Sequence, residues 1–297
     1  MTLRRGCSAL PFAGAFLAAT IGCGGQHRAE MTEAARAAQA PTYVALGDSV
    51  AFGLDPRLVP APHFSCFSCP SFTASAPPRN ADVFVGYPEY LRVRLGIALV
   101  DAACPGETTA SFSARVRTGQ AAICAEFKAE DWLHVGYDGT QRRYALDVLG
   151  RHPHVELVTV QVGANDVLDV VAACGADPTC VNDRIGGVLL AVRANLSDIL
   201  SSIRSAGYTG PIVVPGYYAP SPAWAGLVSP LNQYLALAAS GAGAVFVDLQ
   251  PLFGSDPCGA GFLIRLGPSN AAAGCDMHPS EAGARLIASA IASSIGR

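Results

Sequence analysis

Lysine is almost missing from this chain: Lys128 stands alone, and every other basic residue is an arginine. That is a coding bias and carries no functional reading. Charge as a whole is scarce, at 14% of residues, and the formal net charge is −3. There is no basic cluster, so nucleic acid is not expected as a partner. No apolar run reaches the ~20 residues that a membrane-spanning helix needs. No internal repeat divides the chain, and no second domain is visible. Cys66-x-x-Cys69 is followed by no second well-spaced Cys/His pair, so half a zinc site stays incomplete and no metal or organic cofactor is expected. What the chain has in quantity is apolar mass. Hydrophobic residues are 51% of its 297, enough for one large core.

The N-terminus reads as an export signal over residues 1–22. Arg4 and Arg5 precede the apolar stretch Ala9 to Gly22, too short to span but suited to a signal core. It ends at Gly22-Cys23-Gly24-Gly25, where Cys23 resembles the lipidation site of bacterial lipoproteins, although Thr20 stands where Leu is usual. The alternative is ordinary cleavage after Ala38-Gln39-Ala40, far from the apolar core. Either route gives an exported protein, an envelope lipoprotein or a freely secreted one. Residues 23–41 are polar and Ala-rich and read as a tether. Residues 42–297 form the folded domain, and loss of the first 22 residues leaves a charge of −5. Cys7 and Cys23 fall in the leader. The other eight cysteines (Cys66, Cys69, Cys104, Cys124, Cys174, Cys180, Cys258 and Cys275) form an even set, which in an exported chain argues for disulfides.

From residue 42 onward strand-like and helix-like segments alternate. Strands are expected at 43–47, 97–102, 156–162, 211–215 and 244–249, several as unbroken apolar runs suited to burial on both faces of a parallel sheet. Helices are expected from Pro88 to about Leu95, over 142–150, from Val181 to Ala206, and after Ser280. In the longest, Leu189, Val192, Leu196, Leu200 and Ile203 recur at three or four residues and mark one apolar face. The alternation implies a three-layer α/β/α sandwich around a mostly parallel five-stranded sheet. The stretches 54–82 and 118–140 read as large loops.

The chemistry is carried by four short blocks. Gly47-Asp48-Ser49-Val50 follows the first expected strand and can present the Ser49 hydroxyl at the carboxyl edge of the sheet. Ser49 could equally be a helix N-cap. Next come Gly106 in Cys104-Pro105-Gly106-Glu107-Thr108 and Asn165 in Gly163-Ala164-Asn165-Asp166, each of which could be an ordinary turn. His278 in Asp276-Met277-His278-Pro279 stands just before the last helix. His152 and His154 read as exposed loop residues, and His63 and His134 as possible pocket walls without a chemical role. Phe64, Phe67, Phe72 and Phe84 suit an acyl-chain pocket or a loop core.

In this order the four blocks resemble the SGNH hydrolases, the GDSL-type esterases and lipases. Leu157–Asp166 and the turn Gly216-Tyr217-Tyr218-Ala219-Pro220 also look like secreted bacterial members, so the resemblance spans nearly all of residues 42–297. It implies a flavodoxin-like sheet and a serine esterase working through an acyl-Ser49 intermediate, with His278 as general base. Gly106 (backbone N–H) and Asn165 (side-chain amide) would form the oxyanion hole with the N–H of Ser49. It also implies sequential bridges: 66–69, 104–124, 174–180 and 258–275. The common pattern has Asp three residues before the His, and here Cys275 holds that place with Asp276 one residue closer. The expectation is therefore a Ser–His dyad whose ring is oriented by a backbone carbonyl near Cys275, with Asp276 as the other candidate orienter. The expected partner is a small-molecule or lipid ester, met by a monomer that touches membrane only through an N-terminal lipid. A carbohydrate O-acetyl esterase is the alternative within enzymes. A non-catalytic surface binding protein is the alternative outside them.

Overall fold

Tyr43-Val44-Ala45-Leu46 has no polar face, and the fold buries all of it. Side chains alternate across a strand, so one such run feeds two cores. Tyr43 and Ala45 join the cluster that holds Leu157, Leu91 and Ile287. Val44 and Leu46 join the one that holds Val158, Val160, Leu196 and Leu235. The structure, a computed structural model, describes residues 40–59, 80–266 and 274–297. The expected signal segment, Cys23, nearly all of the tether, the Cys66–Cys69 pair, His63, Phe64, Phe67 and Phe72 lie outside the described residues.

In chain order, β1 (Thr42–Gly47) runs into the one-turn helix α1 (Ser49–Phe52), and α2 (Tyr87–Leu95) leads to β2 (Ala98–Asp101). Then come α3 (Thr109–Ser113), α4 (Ala121–Ala129), α5 (Gln141–Arg151), β3 (Val155–Gln161), α6 (Ala164–Ala173) and α7 (Pro178–Ser205). The chain closes with β4 (Ile212–Pro215), α8 (Ala225–Gly241), β5 (Val245–Val247), α9 (Gln250–Phe253), β6 (Leu263–Arg265), β7 (Cys275–Pro279) and α10 (Glu281–Ser294). The main sheet has the order β2-β1-β3-β4-β5, and every neighbouring pair in it is parallel. β6 and β7 form a separate antiparallel pair.

This order reverses between β1 and β3, and an open α/β sheet of this kind binds its ligand outside the strand ends at that switch point. The Ser49 turn leaves β1 there, and the Asn165 turn leaves β3 beside it. The helices cover both faces. α7 is capped by the Asp177 side chain and begins with Pro178 at its first turn. It lays Leu189, Val192, Leu196, Leu200 and Ile203 into the core.

One expectation is corrected here. Residues 118–140 are not one loop: α4 lies within them and turns Ala121, Cys124 and Phe127 inward. Of the two places expected for Phe84, the structure gives the core: it is 1% exposed and packs on Phe52 and Phe127 with ring centroids 5.0 and 6.2 Å apart. Disulfides join Cys104 to Cys124, Cys174 to Cys180 and Cys258 to Cys275. Among the described residues no helix is long and apolar enough to cross a membrane.

Candidate active site

The turn after β1 allows little freedom. Gly47 has φ of +149°, and a Cβ there would sit 2.3 Å from the Gln161 carbonyl oxygen. Gln141, arriving from α5, holds both polar groups of Gly47: its Oε1 accepts from the Gly47 N–H at 2.6 Å and its amide donates to the Gly47 carbonyl at 3.0 Å. Asp48 is the N-cap of α1, accepting the Val50 N–H at 3.0 Å. Its other oxygen accepts the Tyr217 hydroxyl at 2.6 Å. Since Asp48 caps the helix, Ser49 is left as the first helical residue with its hydroxyl uncommitted to capping. Its own N–H, in the first turn, has no acceptor within the helix.

Ser49 Oγ lies 2.8 Å from His278 Nε2. The other ring nitrogen, Nδ1, meets Asp276 Oδ1 in a buried contact, and the same oxygen accepts the His278 backbone N–H at 2.9 Å. The expectation of a backbone carbonyl near Cys275 as the orienter therefore does not hold. Asp276 and His278 both lie on β7, where alternate residues share a face, so a spacing of two brings carboxylate and imidazole together. The strand is held by the Tyr218 hydroxyl, which donates to the Met277 carbonyl at 2.8 Å, and Tyr218 is itself stacked on Phe253 at 3.8 Å.

Asn165 sits in the first turn of α6, its amide donating to the Glu107 carbonyl at 2.9 Å. Gly106 has φ of +80°, and a Cβ there would lie 2.3 Å from the Gln120 carbonyl oxygen. Backbone around Gly106 is thus fixed beside Asn165. Ser49, Asn165 and His278 line a pocket of about 80 Å³ whose remaining walls are mostly apolar, among them Leu168, Trp224, Leu227, Val228 and Met277.

Burial alone would lower the His278 pKa, but the charge and hydrogen bond of Asp276, with the charges of Asp48 and Asp55, raise it above 6.5. Burial alone would raise Asp276; the charge and hydrogen bonds of His278 hold it below 3.8. The sequence reading missed Glu107, Gln141 and Tyr217, and gave Asp48 no role. Burial raises Asp48 to about 6 against the bonds from Tyr217 and Val50. Burial likewise raises Glu107 to about 7 against the bond from Ser111, the charge of Lys128 and the bond from Gln141. Asp48 and Glu107 stood inside the quoted blocks, which was the one signal available for them. Cys104 and Cys124 lie beside Glu107, but their bridge leaves no thiolate to bind a metal. His134 packs on the Phe52 ring at 4.7 Å. His154 is exposed and His152 half-buried.

Similar folds occur in solved structures. The phospholipase A1 of Streptomyces albidoflavus is 19% identical with a TM-score of 0.50, over 86% of this chain and 99% of that one. The lipase Lip_vut3 from a goat rumen metagenome is 16% identical with a TM-score of 0.51, over 85% and 96%. No curated protein matches the chain in sequence. The model of the GDSL-like lipase/acylhydrolase family matches residues 45–286. With that match spanning most of the sequence, the chain belongs to the GDSL-like lipase/acylhydrolase family and is a carboxylic ester hydrolase.

Proposed function

We propose that this hydrolase cleaves short-chain carboxylic esters through an acyl-Ser49 intermediate. The observation that carries the reading is the 2.8 Å contact of Ser49 Oγ with His278 Nε2, on a ring whose far nitrogen meets Asp276. His278 Nε2 takes the Ser49 proton as Oγ attacks the ester carbonyl, then gives it to the departing alcohol. Asp276 keeps the ring proton on Nδ1 and stabilises the imidazolium. Water, activated by the same nitrogen, releases the acid. The developing oxyanion is met by the Asn165 amide and the backbone N–H groups of Ser49 and Gly106, donors worth about 3 kcal/mol each.

Pocket size supports a small acyl group. The pocket beside Ser49 is small, about 80 Å³. The same observation favours the alternative reading, an O-acetyl esterase acting on carbohydrate. Turnover of p-nitrophenyl esters from acetate to palmitate tests the first: acetate to butyrate should be fastest, and a palmitate preference contradicts it. Acetate release from acetylated xylan at a rate matching p-nitrophenyl acetate would select the second. We also propose that the protein is exported, with residues 1–22 removed and Cys23 as the anchor. The three disulfides among the described residues support an oxidising compartment. Mass spectrometry of the mature N-terminus checks this reading, and a chain that retains Met1 in the native host contradicts it.

A further inference from the structure

Away from Ser49, three metal-ligating side chains converge from three separate parts of the fold. Glu89 comes from the first turn of α2, Asp101 from the end of β2, and His134 from the segment between α4 and α5. One donor atom of each lies within 4.8 Å of those of the other two. Asp101 is 3% exposed, and Glu89 and His134 are half-buried.

Each side chain already has one polar atom engaged by backbone. Glu89 Oε2 accepts the Gly86 N–H at 2.8 Å. Asp101 Oδ1 accepts the Ala103 N–H at 2.9 Å. His134 Nε2 lies 3.1 Å from the Phe52 carbonyl oxygen. A carbonyl only accepts, so the ring proton is on Nε2 and Nδ1 keeps its lone pair. Imidazoles that bind metals use this arrangement, the distal N–H donating to a carbonyl and fixing the tautomer. Asp101 Oδ2 is buried and has no hydrogen-bond partner among the described residues. A buried carboxylate oxygen left in that state is costly, and a cation would satisfy it. Burial also raises the Glu89 carboxyl to about 7, and burial with the Glu89 charge raises Asp101. Two such carboxyls side by side call for positive charge between them.

We propose that Glu89, Asp101 and His134 form a binding site for a divalent transition-metal ion. Two carboxylate oxygens and one imidazole nitrogen suit Zn²⁺, with water completing its shell. The site stands apart from the Ser49–His278 pair and takes no part in ester cleavage. Its role is to brace: Phe52, which His134 holds, ends the helix that Ser49 begins. A bound ion would tie α2, β2 and the His134 segment beneath that helix.

The test uses the full chain, stripped with a chelator, desalted, and titrated with ZnCl₂ by calorimetry alongside thermal unfolding. The expected result is one Zn²⁺ per chain and a raised unfolding midpoint. Glu89→Gln and His134→Gln should each weaken Zn²⁺ binding by at least roughly 100-fold and keep turnover of p-nitrophenyl acetate, which reports an intact fold. Gln at 134 can still donate to the Phe52 carbonyl. Absence of Zn²⁺ binding by the wild type overturns the proposal and leaves the carboxyls sharing a proton. Unchanged affinity in both variants also overturns it, by placing the ion elsewhere. Should a variant lose its fold, X-ray absorption of the wild-type Zn²⁺ complex decides: a shell of oxygen with a single imidazole supports the site, and sulfur or several imidazoles refute it.

Discussion

Asp276 and His278 stand two residues apart on one strand, and the carboxylate of the first meets Nδ1 of the second. Strand geometry makes this pairing: at a period of two, both side chains leave the same face. The contact turns a Ser–His pair into a three-membered arrangement, and its consequences can be measured.

The first concerns Asp276 itself. Asp276→Asn keeps the size of the side chain and removes its charge, allowing the ring to take the wrong tautomer. Turnover should fall by roughly 10³- to 10⁴-fold, with KM little changed. Steady-state kinetics on p-nitrophenyl acetate check this. A loss of tenfold or less would return the orienting role to a backbone carbonyl.

The pH profile provides the second. Asp276, Asp48 and Asp55 raise the His278 pKa above the ordinary imidazole value of 6.5, outweighing burial. A raised pKa keeps the ring protonated, and unable to accept the Ser49 proton, to higher pH. The rising limb of kcat/KM should therefore have its midpoint above 6.5, and Asp276→Asn should move that midpoint down. The linked stability has the opposite dependence. The raised pKa contributes fully below the unfolded value of about 6.5, and the contribution is lost as pH rises through the folded value. A midpoint below 6 with no response to Asp276→Asn would separate the acid limb from His278.

Asn165→Ala removes an amide that the proposed mechanism aims at the oxyanion. Turnover should drop by roughly 10²- to 10³-fold while KM stays near its original value, because the interaction strengthens only in the transition state. A rise in KM with kcat intact would instead make Asn165 a binding residue.

Tyr217 gives a prediction about stability. Its hydroxyl donates to Asp48 at 2.6 Å in a fully buried contact. Tyr217→Phe leaves that carboxylate oxygen without its donor and should cost about 1–3 kcal/mol in chemical denaturation. An unchanged midpoint would mean that Asp48 finds another partner.

The sequence was most legible where one element decides its own pattern. The apolar runs of β1 and β4 announce burial on both faces, and the spacing Leu189 to Ile203 announces α7. It was least legible where the signal was short or broken. α4 offers only Ala121, Cys124 and Phe127 inward, and α8 carries Pro230 inside the helix. In the site, chain order made Ser49, Asn165 and His278 readable as a set. Asp276 was weighed against a motif spacing, when the period of a strand was the relevant ruler. Tyr217 stood in a recognisable turn, but its bond to Asp48 was not legible, since the partner lies 169 residues away and only the fold brings them together.

In the proposed reaction Ser49 is the nucleophile and His278 its base. Treating the protein with a p-nitrophenyl alkylphosphonate and mapping the adduct by mass spectrometry tests it most directly. The expected result is a single adduct, on the peptide carrying Ser49, with labelling abolished in Ser49→Ala and strongly slowed in His278→Ala. An adduct on a different serine, or a Ser49→Ala protein that still turns over ester, would contradict it.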